Sequence, residues 1–534
     1  MVDEKLDPVS PSSSGSSTSS KSEGAVHPTD ADSYPPSSAS PEEGVTIISF
    51  EHKDKGNPHN WSTLAKSLIF FAAFLSTTTT SFYSTITSNF SPSLPVVFEL
   101  PNPAGLQRVL PASLYLAGFV FGPLVWAPLS ESPRIGRWRV LFVGAVLFVI
   151  MSLGQAVATN WAGFLVLRFL AGVTGSPPVS VFGGVIADLF EGEVVRGRVM
   201  MYWSVTTFIG PLGAPIIAGF ASTKLGWRAV FWIVLSLPVA SLVGVIFTPE
   251  TLASAILKRR AAKLNKENNN TGMLFLAPAD VKKESAWDAY KTTLSRPWRL
   301  LFGEMVVSLS CAYLGFVYAV FYMIIQIFPR VFQGVYGFTP GMSGILFTIM
   351  GLGTILGSFI ILWYDTYAPR LTARHPAKRE EYLRLPLVCA GGPTYVLSML
   401  WLGWSARTDI HWVVPLLSMI PYGLAYQLIY VAIINYVADA YGIYSASALA
   451  AMSMTRSVAG ALLPLAIEDM VAGLGIAWSC TVLAGVSAGL ALVPFGFIAY
   501  GEKIRARSQF SKGLKGHQGR EEGELGRVAS LSAV

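Results

Sequence analysis

Stretches of roughly 20 apolar residues, the length of helix needed to cross the hydrocarbon of a bilayer, recur along this chain and limit its folds more than any other feature. They lie near 64–86, 108–130, 138–158, 161–187, 199–221 and 228–247, and again near 300–328, 341–363, 385–405, 412–436, 446–468 and 478–500. Apolar residues make up 52% of the chain and charged ones 13%, against about 25% charged in an ordinary globular domain. Backbone groups in lipid must bond within their own segment, so such stretches are read as helices. The expectation is an all-α membrane protein of twelve transmembrane helices in two pseudo-symmetric six-helix halves.

Lys and Arg between the spans set the orientation, because short basic loops stay cytoplasmic. Segments 131–139, 188–198, 248–299 and 364–384 are rich in them, whereas the alternate connections hold little beyond Lys224, Arg330 and Arg407. Both termini are therefore expected in the cytoplasm, and the net charge of +7 reflects topology rather than a nucleic-acid partner. Residues 1–55 read as a disordered tail, since the first 45 are rich in Ser, Pro and Gly and carry too little apolar surface to fold. The remainder divides into a half at 56–248, a linker at 249–299, a half at 300–502 and a tail at 503–534. No basic segment followed by an apolar core opens the chain, so no cleaved signal is expected. Cys311, Cys389 and Cys480 fall inside spans, where they act as small apolar residues and imply neither disulfide nor metal. Asn89-Phe90-Ser91 is a glycosylation acceptor sequence placed outside, close to the membrane.

The fifth span contains Gly210, Pro211, Gly213, Pro215 and Gly219, closed by Gly226-Trp227-Arg228. A soluble helix rarely carries so many weakeners; a membrane helix does where backbones pack closely and must move. A weak internal repeat accompanies it: Gly118 and Gly122 precede Glu131 and basic residues, and Gly353 and Gly357 precede Asp365 and Arg370. Repeats of this kind suit transporters whose halves rock around a midplane site.

Gly122-Pro123-Leu124 to Ala127-Pro128-Leu129-Ser130-Glu131, ending in Gly136-Arg137, resembles the loop 2–3 signature of the major facilitator superfamily. Leu167-Arg168-Phe169-Leu170-Ala171-Gly172 resembles its helix 4 motif, although Pro177-Pro178 interrupts that helix, and Gly210 to Pro215 resembles its antiporter helix 5 motif. Asn57-Pro58-His59-Asn60-Trp61-Ser62, Pro249-Glu250-Thr251, Arg296-Pro297 and Asn435-Tyr436-Val437-Ala438-Asp439 resemble the fungal twelve-span drug:proton antiporter branch. The likeness covers about residues 55–502.

Glu131, Arg137 and Arg139 form a charge cluster at the membrane surface. The resemblance implies a cytoplasmic latch there, with Asp188 as a partner; the plainer reading makes the arginines topology anchors. Arg168 is an intramembrane charge and so a functional candidate. The resemblance implies a part in proton coupling, and since a guanidinium does not itself release a proton, it would act on a neighbouring group; the alternative is an arginine satisfied by helix carbonyls. Glu304 at the start of helix 7 is either a proton carrier facing a cavity or an acid favouring a helix start. Glu468 and Asp469 close helix 11, and Asp439 follows helix 10. Tyr318, Tyr322 and Gln326 on helix 7, and Tyr422, Tyr426 and Tyr430 on helix 10, recur at spacing four, with Gln427 and Asn435 nearby. Such stripes share a helix face and suit amphipathic or weakly cationic ligands, or else serve ordinary packing.

The sequence thus reads as a monomeric proton-coupled antiporter in the plasma membrane of a fungus. It exports small hydrophobic or cationic compounds, such as drugs, fungicides, toxins or polyamine-like molecules, by alternating access. The bilayer and protons are its other partners, the proton gradient drives it, and no cofactor or metal is expected. Uptake of a small nutrient and a role as membrane sensor are the alternatives. An enzyme is disfavoured, because no metal cluster, nucleophile elbow or phosphate loop appears.

Overall fold

A computed structural model describes residues 45–507 apart from 52, 91–93, 101–104, 192, 268–273, 282–285, 375–378 and 442–444. Among the described residues ten helical stretches are long and apolar enough to cross a membrane. Span 2 is Leu106–Glu131, span 3 Arg137–Val157, span 4 Trp161–Leu189, span 5 Arg198–Leu225 and span 6 Trp227–Ile246. Span 7 is Met305–Val335, span 8 Pro340–Ala368, span 9 Tyr382–Ser405 and span 10 Val413–Tyr441. The tenth stretch, Ser447–Gly501, is 55 residues long, far more than one crossing needs, and contains spans 11 and 12. The chain turns between them at Gly475, whose φ of 75° and ψ of 173° lie in a region essentially closed to residues with a Cβ. Gly226, at φ 83° and ψ 164°, makes the same turn between spans 5 and 6, so both halves end on one device. Span 1, Thr63–Thr85, completes the expected twelve. Its hydroxyls lower its apolar character but bond within the helix, as Ser76 Oγ does to the Ala72 carbonyl at 2.7 Å and Thr79 Oγ1 to Leu75 at 2.7 Å.

Proline breaks explain the irregular spans. Span 4 divides into Trp161–Gly175 and Pro177–Leu189, because Pro177 has no N–H for the carbonyl of Val173. That carbonyl is taken up instead by Trp126 Nε1 of span 2 and by Ser176 Oγ, each at 2.9 Å. In span 5, Pro215 likewise frees the Pro211 carbonyl, which accepts Thr85 Oγ1 of span 1 at 2.9 Å.

The internal repeat is present in the packing. A Cβ on Gly172 of span 4 would lie 2.0 Å from the Tyr115 carbonyl of span 2, and a Cβ on Gly423 of span 10 would lie 2.2 Å from the Met350 carbonyl of span 8. Tyr115 and Met350 each stand three residues before the glycines Gly118 and Gly353 of the repeat (118 − 115 = 353 − 350 = 3). Spans 2 and 4 therefore cross as spans 8 and 10 do, with small residues letting the backbones touch. Span 7 is the most enclosed of these ten stretches, its apolar window being 89% buried.

One expectation needs correction. Residues 45–55 are not a free tail: Val45–Ile47 pairs in parallel with Leu274–Leu276 of the linker, and Ile48 and Phe50 pack on Leu257, Ala261 and Ala277. Asp54 joins this unit through the Gly56 N–H and the Arg260 guanidinium, which hold its carboxyl below the usual range. Residues 1–44 and 508–534 lie outside the described residues. Asn89 is buried, and its Nδ2 donates to the carbonyls of Pro215 at 2.8 Å and Pro340 at 3.1 Å. An amide so enclosed is closed to glycan transfer in this conformation.

Candidate transport site

The two halves meet around a cluster of rings at mid-bundle. Phe208 of span 5 stands edge-on to Phe321 of span 7 at 6.1 Å, to Tyr426 at 4.8 Å and to Tyr430 at 5.6 Å, the last two from span 10. Tyr322 Oη donates to Ser84 Oγ of span 1 at 2.8 Å, and the Tyr318 and Tyr322 hydroxyls lie 3.3 Å apart. Tyr318, Tyr322, Tyr426 and Tyr430 are thus brought together, with walls from both halves. The rest of the polar set is not. Gln427 turns to span 8, donating to Ser358 Oγ at 3.1 Å. Gln326 is buried one turn further along span 7, and Asn435 lies about 140° round the helix from Tyr430 at 3.6 residues per turn. Tyr422 pairs with Tyr395 of span 9 at 3.1 Å between hydroxyls.

Arg456 of span 11 also enters this cluster, and the sequence reading passed over it although an intramembrane charge was the signal that singled out Arg168. It is 6% exposed. Its Nη1 donates to Tyr430 Oη, and its guanidinium lies 4.8 Å from the Tyr318 ring centre and 5.4 Å from that of Tyr430. The tyrosine stripes, read from sequence as suited to cations, therefore surround a permanent positive charge.

Arg168 is fully buried and ties four spans together. Nε donates to the Pro111 carbonyl of span 2 at 2.9 Å, and Nη1 to the Tyr83 carbonyl of span 1 at 2.9 Å and to Gln155 Oε1 of span 3 at 3.4 Å. Tyr83 lies in the last turn of span 1, where carbonyls lose their helical partners, so the guanidinium fills an otherwise unmet acceptor. Its other face lies on the Tyr115 ring, 4.8 Å away. Among the described residues no carboxylate pairs with Arg168 or Arg456 within 4 Å.

The end of the bundle that carries the linker holds two matching ion pairs. Arg137 at the start of span 3 forks onto Asp188 of span 4, Nε to Oδ2 at 2.8 Å and Nη2 to Oδ1 at 3.0 Å. Arg384 of span 9 reaches Asp439 of span 10 at 3.4 Å and Asp365 of span 8 at 3.0 Å. Asp188 and Asp439 each follow the contact glycine of their span by 16 residues (188 − 172 = 439 − 423 = 16). Glu250, from the segment after span 6, accepts the Arg137 N–H at 2.9 Å and Arg259 at 3.3 Å. Glu131 lies in the field of Arg137 and of Arg296, which precedes span 7. Arg139 is not part of the cluster; its guanidinium turns to the Arg134 carbonyl at 3.2 Å. Both Arg137 and Asp188 are less than a fifth exposed, so Asp188→Asn should destabilise the purified protein by about 1–3 kcal/mol. Arg139→Ala should stay within about 0.5 kcal/mol, as thermal unfolding in detergent would show.

At the opposite, far end the halves are clamped. Glu468 of span 11 pairs with Arg330 at the end of span 7 and with Arg108 of span 2 at 4.0 Å. A Cβ on Gly219 of span 5 would lie 2.3 Å from the Pro340 carbonyl of span 8, and one on Gly344 would lie 2.5 Å from the Pro215 carbonyl. The helix 5 motif thus serves two contacts. Gly210 allows span 1 to approach, with the Thr78 carbonyl 2.6 Å from an added Cβ, whereas Gly219 and Pro215 face the other half. Gly213 has ordinary room, its nearest neighbour being Phe82 at 3.6 Å. Glu304 sits at the linker end, 4% exposed, where its Oε2 accepts the Tyr441 hydroxyl at 3.2 Å. It stands directly before Met305, the first residue of the span 7 helix, away from the ring cluster.

A bundle of two six-helix halves meeting at a central site is the architecture of a secondary transporter. Residues 66–464 match the family model described as Major Facilitator Superfamily. The chain belongs to that superfamily. It is 35% identical over 495 residues to "MFS-type efflux pump MFS2" of Trichophyton rubrum, covering 91% of this chain and 81% of that protein. It is 33% identical over 484 residues to "Major facilitator superfamily multidrug transporter mdrA" of Aspergillus fumigatus, covering 90% and 78%. Among solved structures it is similar to the proton:xylose symporter XylE bound to 6-bromo-6-deoxy-D-glucose, with a TM-score of 0.60, 18% identity, and coverage of 82% of this chain and 97% of that one.

Proposed function

We propose that this protein is a proton-coupled antiporter that exports small hydrophobic organic compounds by alternating access. The observation that carries the reading is the ring cluster itself, whose walls come from spans 1 and 5 of one half and spans 7, 10 and 11 of the other. A rocking motion of the halves would open such a site to each side in turn. The names of the fungal relatives, efflux pump and multidrug transporter, favour export over uptake.

With the basic linker end in the cytoplasm, the conformation described here is closed towards the outside by the Glu468 clamp and the span 5 to span 8 contact. Arg168 grips spans 1, 2 and 3 together, so it would pass changes in one of these spans to the packing of the whole first half. Glu304 and the Arg137–Asp188 pair are the acid-bearing groups that would exchange protons and reset the linker end. The protein would work as a monomer in the plasma membrane, without a cofactor.

The test is flux in reconstituted vesicles under an imposed proton gradient of either sign. Substrate should move against the proton flow and reverse direction with the gradient. Flux unchanged after an ionophore collapses the gradient would identify facilitated diffusion instead.

A further inference from the structure

We infer that the central site takes amphipathic organic anions, a carboxylate or similar acid on an aromatic or apolar body, held by the free edge of the Arg456 guanidinium. The inference rests on the transport reading of the same site and names its substrate class.

Arg456 has five N–H donors, and its hydrogen bond among the described residues is the one from Nη1 to Tyr430 Oη. Its Nε is buried and has no hydrogen-bond partner among the described residues. The rings of Tyr318 and Tyr430 lie on the charge, but a π face does not accept the in-plane donors. A buried charge is costly to hold without a counter-ion. Arg168, whose guanidinium lies on the Tyr115 ring, also lacks a carboxylate within 4 Å among the described residues.

The acids described here lie at the two ends: Glu131, Asp188 and Glu304 with the linker, and Glu468 at the far end. A ligand cation entering the middle would meet the Arg456 guanidinium and, among the described residues, no acid paired with it within 4 Å. A ligand anion would fill the unmet donor edge of Arg456 with charge-assisted hydrogen bonds, while Phe208, Phe321, Tyr426 and Tyr430 pack its apolar body. Planar guanidinium and planar carboxylate match in geometry.

The test uses the full-length protein in detergent with three probes that share one ring system: 2-naphthoate, 2-naphthylmethanol and 2-naphthylmethylammonium. Equilibrium dialysis should show naphthoate bound about tenfold or more tightly than the alcohol, the gain expected of a hydrogen bond to a charged group, and the ammonium bound most weakly. Arg456→Gln should abolish that order and Arg456→Lys should restore part of it. Equal binding of the three probes by the wild type, or preference for the ammonium, would overturn the proposal whatever the variants do. A well-folded Arg456→Gln protein that kept the naphthoate preference would overturn it as well. Vesicle flux separates this inference from the exporter reading. Gradient-driven movement of the ammonium without naphthoate binding sinks the anion site and leaves the exporter. Naphthoate preference without gradient-driven flux supports the anion site and sinks the exporter.

Discussion

Arg168→Ala is expected to abolish gradient-driven flux at matched surface abundance. The substitution removes three hydrogen bonds, to the carbonyls of Pro111 and Tyr83 and to Gln155, and the cation over Tyr115. Each bond from a charged donor contributes about 1.5–3 kcal/mol, so spans 1, 2 and 3 lose their common tie. Arg168→Lys keeps the charge, but a single ammonium does not reproduce a planar fork that serves three acceptors, and flux should fall about tenfold or more. A purely structural arginine would lower the amount of folded protein and leave the turnover of each surviving molecule unchanged. Turnover per molecule and its dependence on the pH of each compartment therefore decide the role. Arg168→Lys with wild-type turnover and an unshifted pH profile would falsify the coupling role.

The second large effect is expected at the far end. Gly219→Leu should open the clamp between the halves, since its Cβ alone would come within 2.3 Å of the Pro340 carbonyl. Backbone is pressed on backbone there, so no side-chain rotation relieves the contact. Overpacking of this kind costs about 1–3 kcal/mol, which shifts the population of this conformation by about 5- to 150-fold. Ser343 of span 8 is fully buried in the closed form. A cysteine placed at Ser343 should react with an impermeant maleimide from the far side about 5-fold or more faster when Gly219→Leu is also present. Glu468→Gln, which removes the anion shared by Arg330 and Arg108, should act in the same direction with a smaller effect. Gly213→Ala is the control: with Phe82 at 3.6 Å it should leave flux and labelling unchanged. The tight contacts of the helix 5 motif thus fall on Gly210 and Gly219, and the motif taken as a string does not distinguish them from Gly213.

The candidate residues show how far the chain could be read without its fold. Arg137 and Asp188 were legible as a pair because their motifs place them at the same membrane surface. Arg139 carries the same charge two residues on and turns away, since two residues of helix rotate the side chain by about 200°. The tyrosines of spans 7 and 10 were legible as stripes, yet Tyr422 faces Tyr395 while Tyr426 and Tyr430 face Phe208. Arg456 was written in the sequence as a charge inside an apolar span and needed no structure to be noticed. Its partners did, because Tyr318 and Tyr430 come from two other helices. Glu250 was visible only as part of a motif, and its contact with the Arg137 amide spans 113 residues of sequence.

What the sequence alone determined was the number of crossings, their grouping in two halves, the superfamily and the charges at each membrane surface. These follow from the thickness of hydrocarbon and the cost of charge within it, which are read along a line. The tertiary structure alone decided which face of each helix meets another helix. Lipid tails are as apolar as leucine, so a spanning helix shows no clear polar and apolar sides, and packing rather than hydrophobicity selects its partners. For that reason the meeting of Arg456 with the rings of Tyr318 and Tyr430, and of Gly219 with Pro340, became visible only in three dimensions.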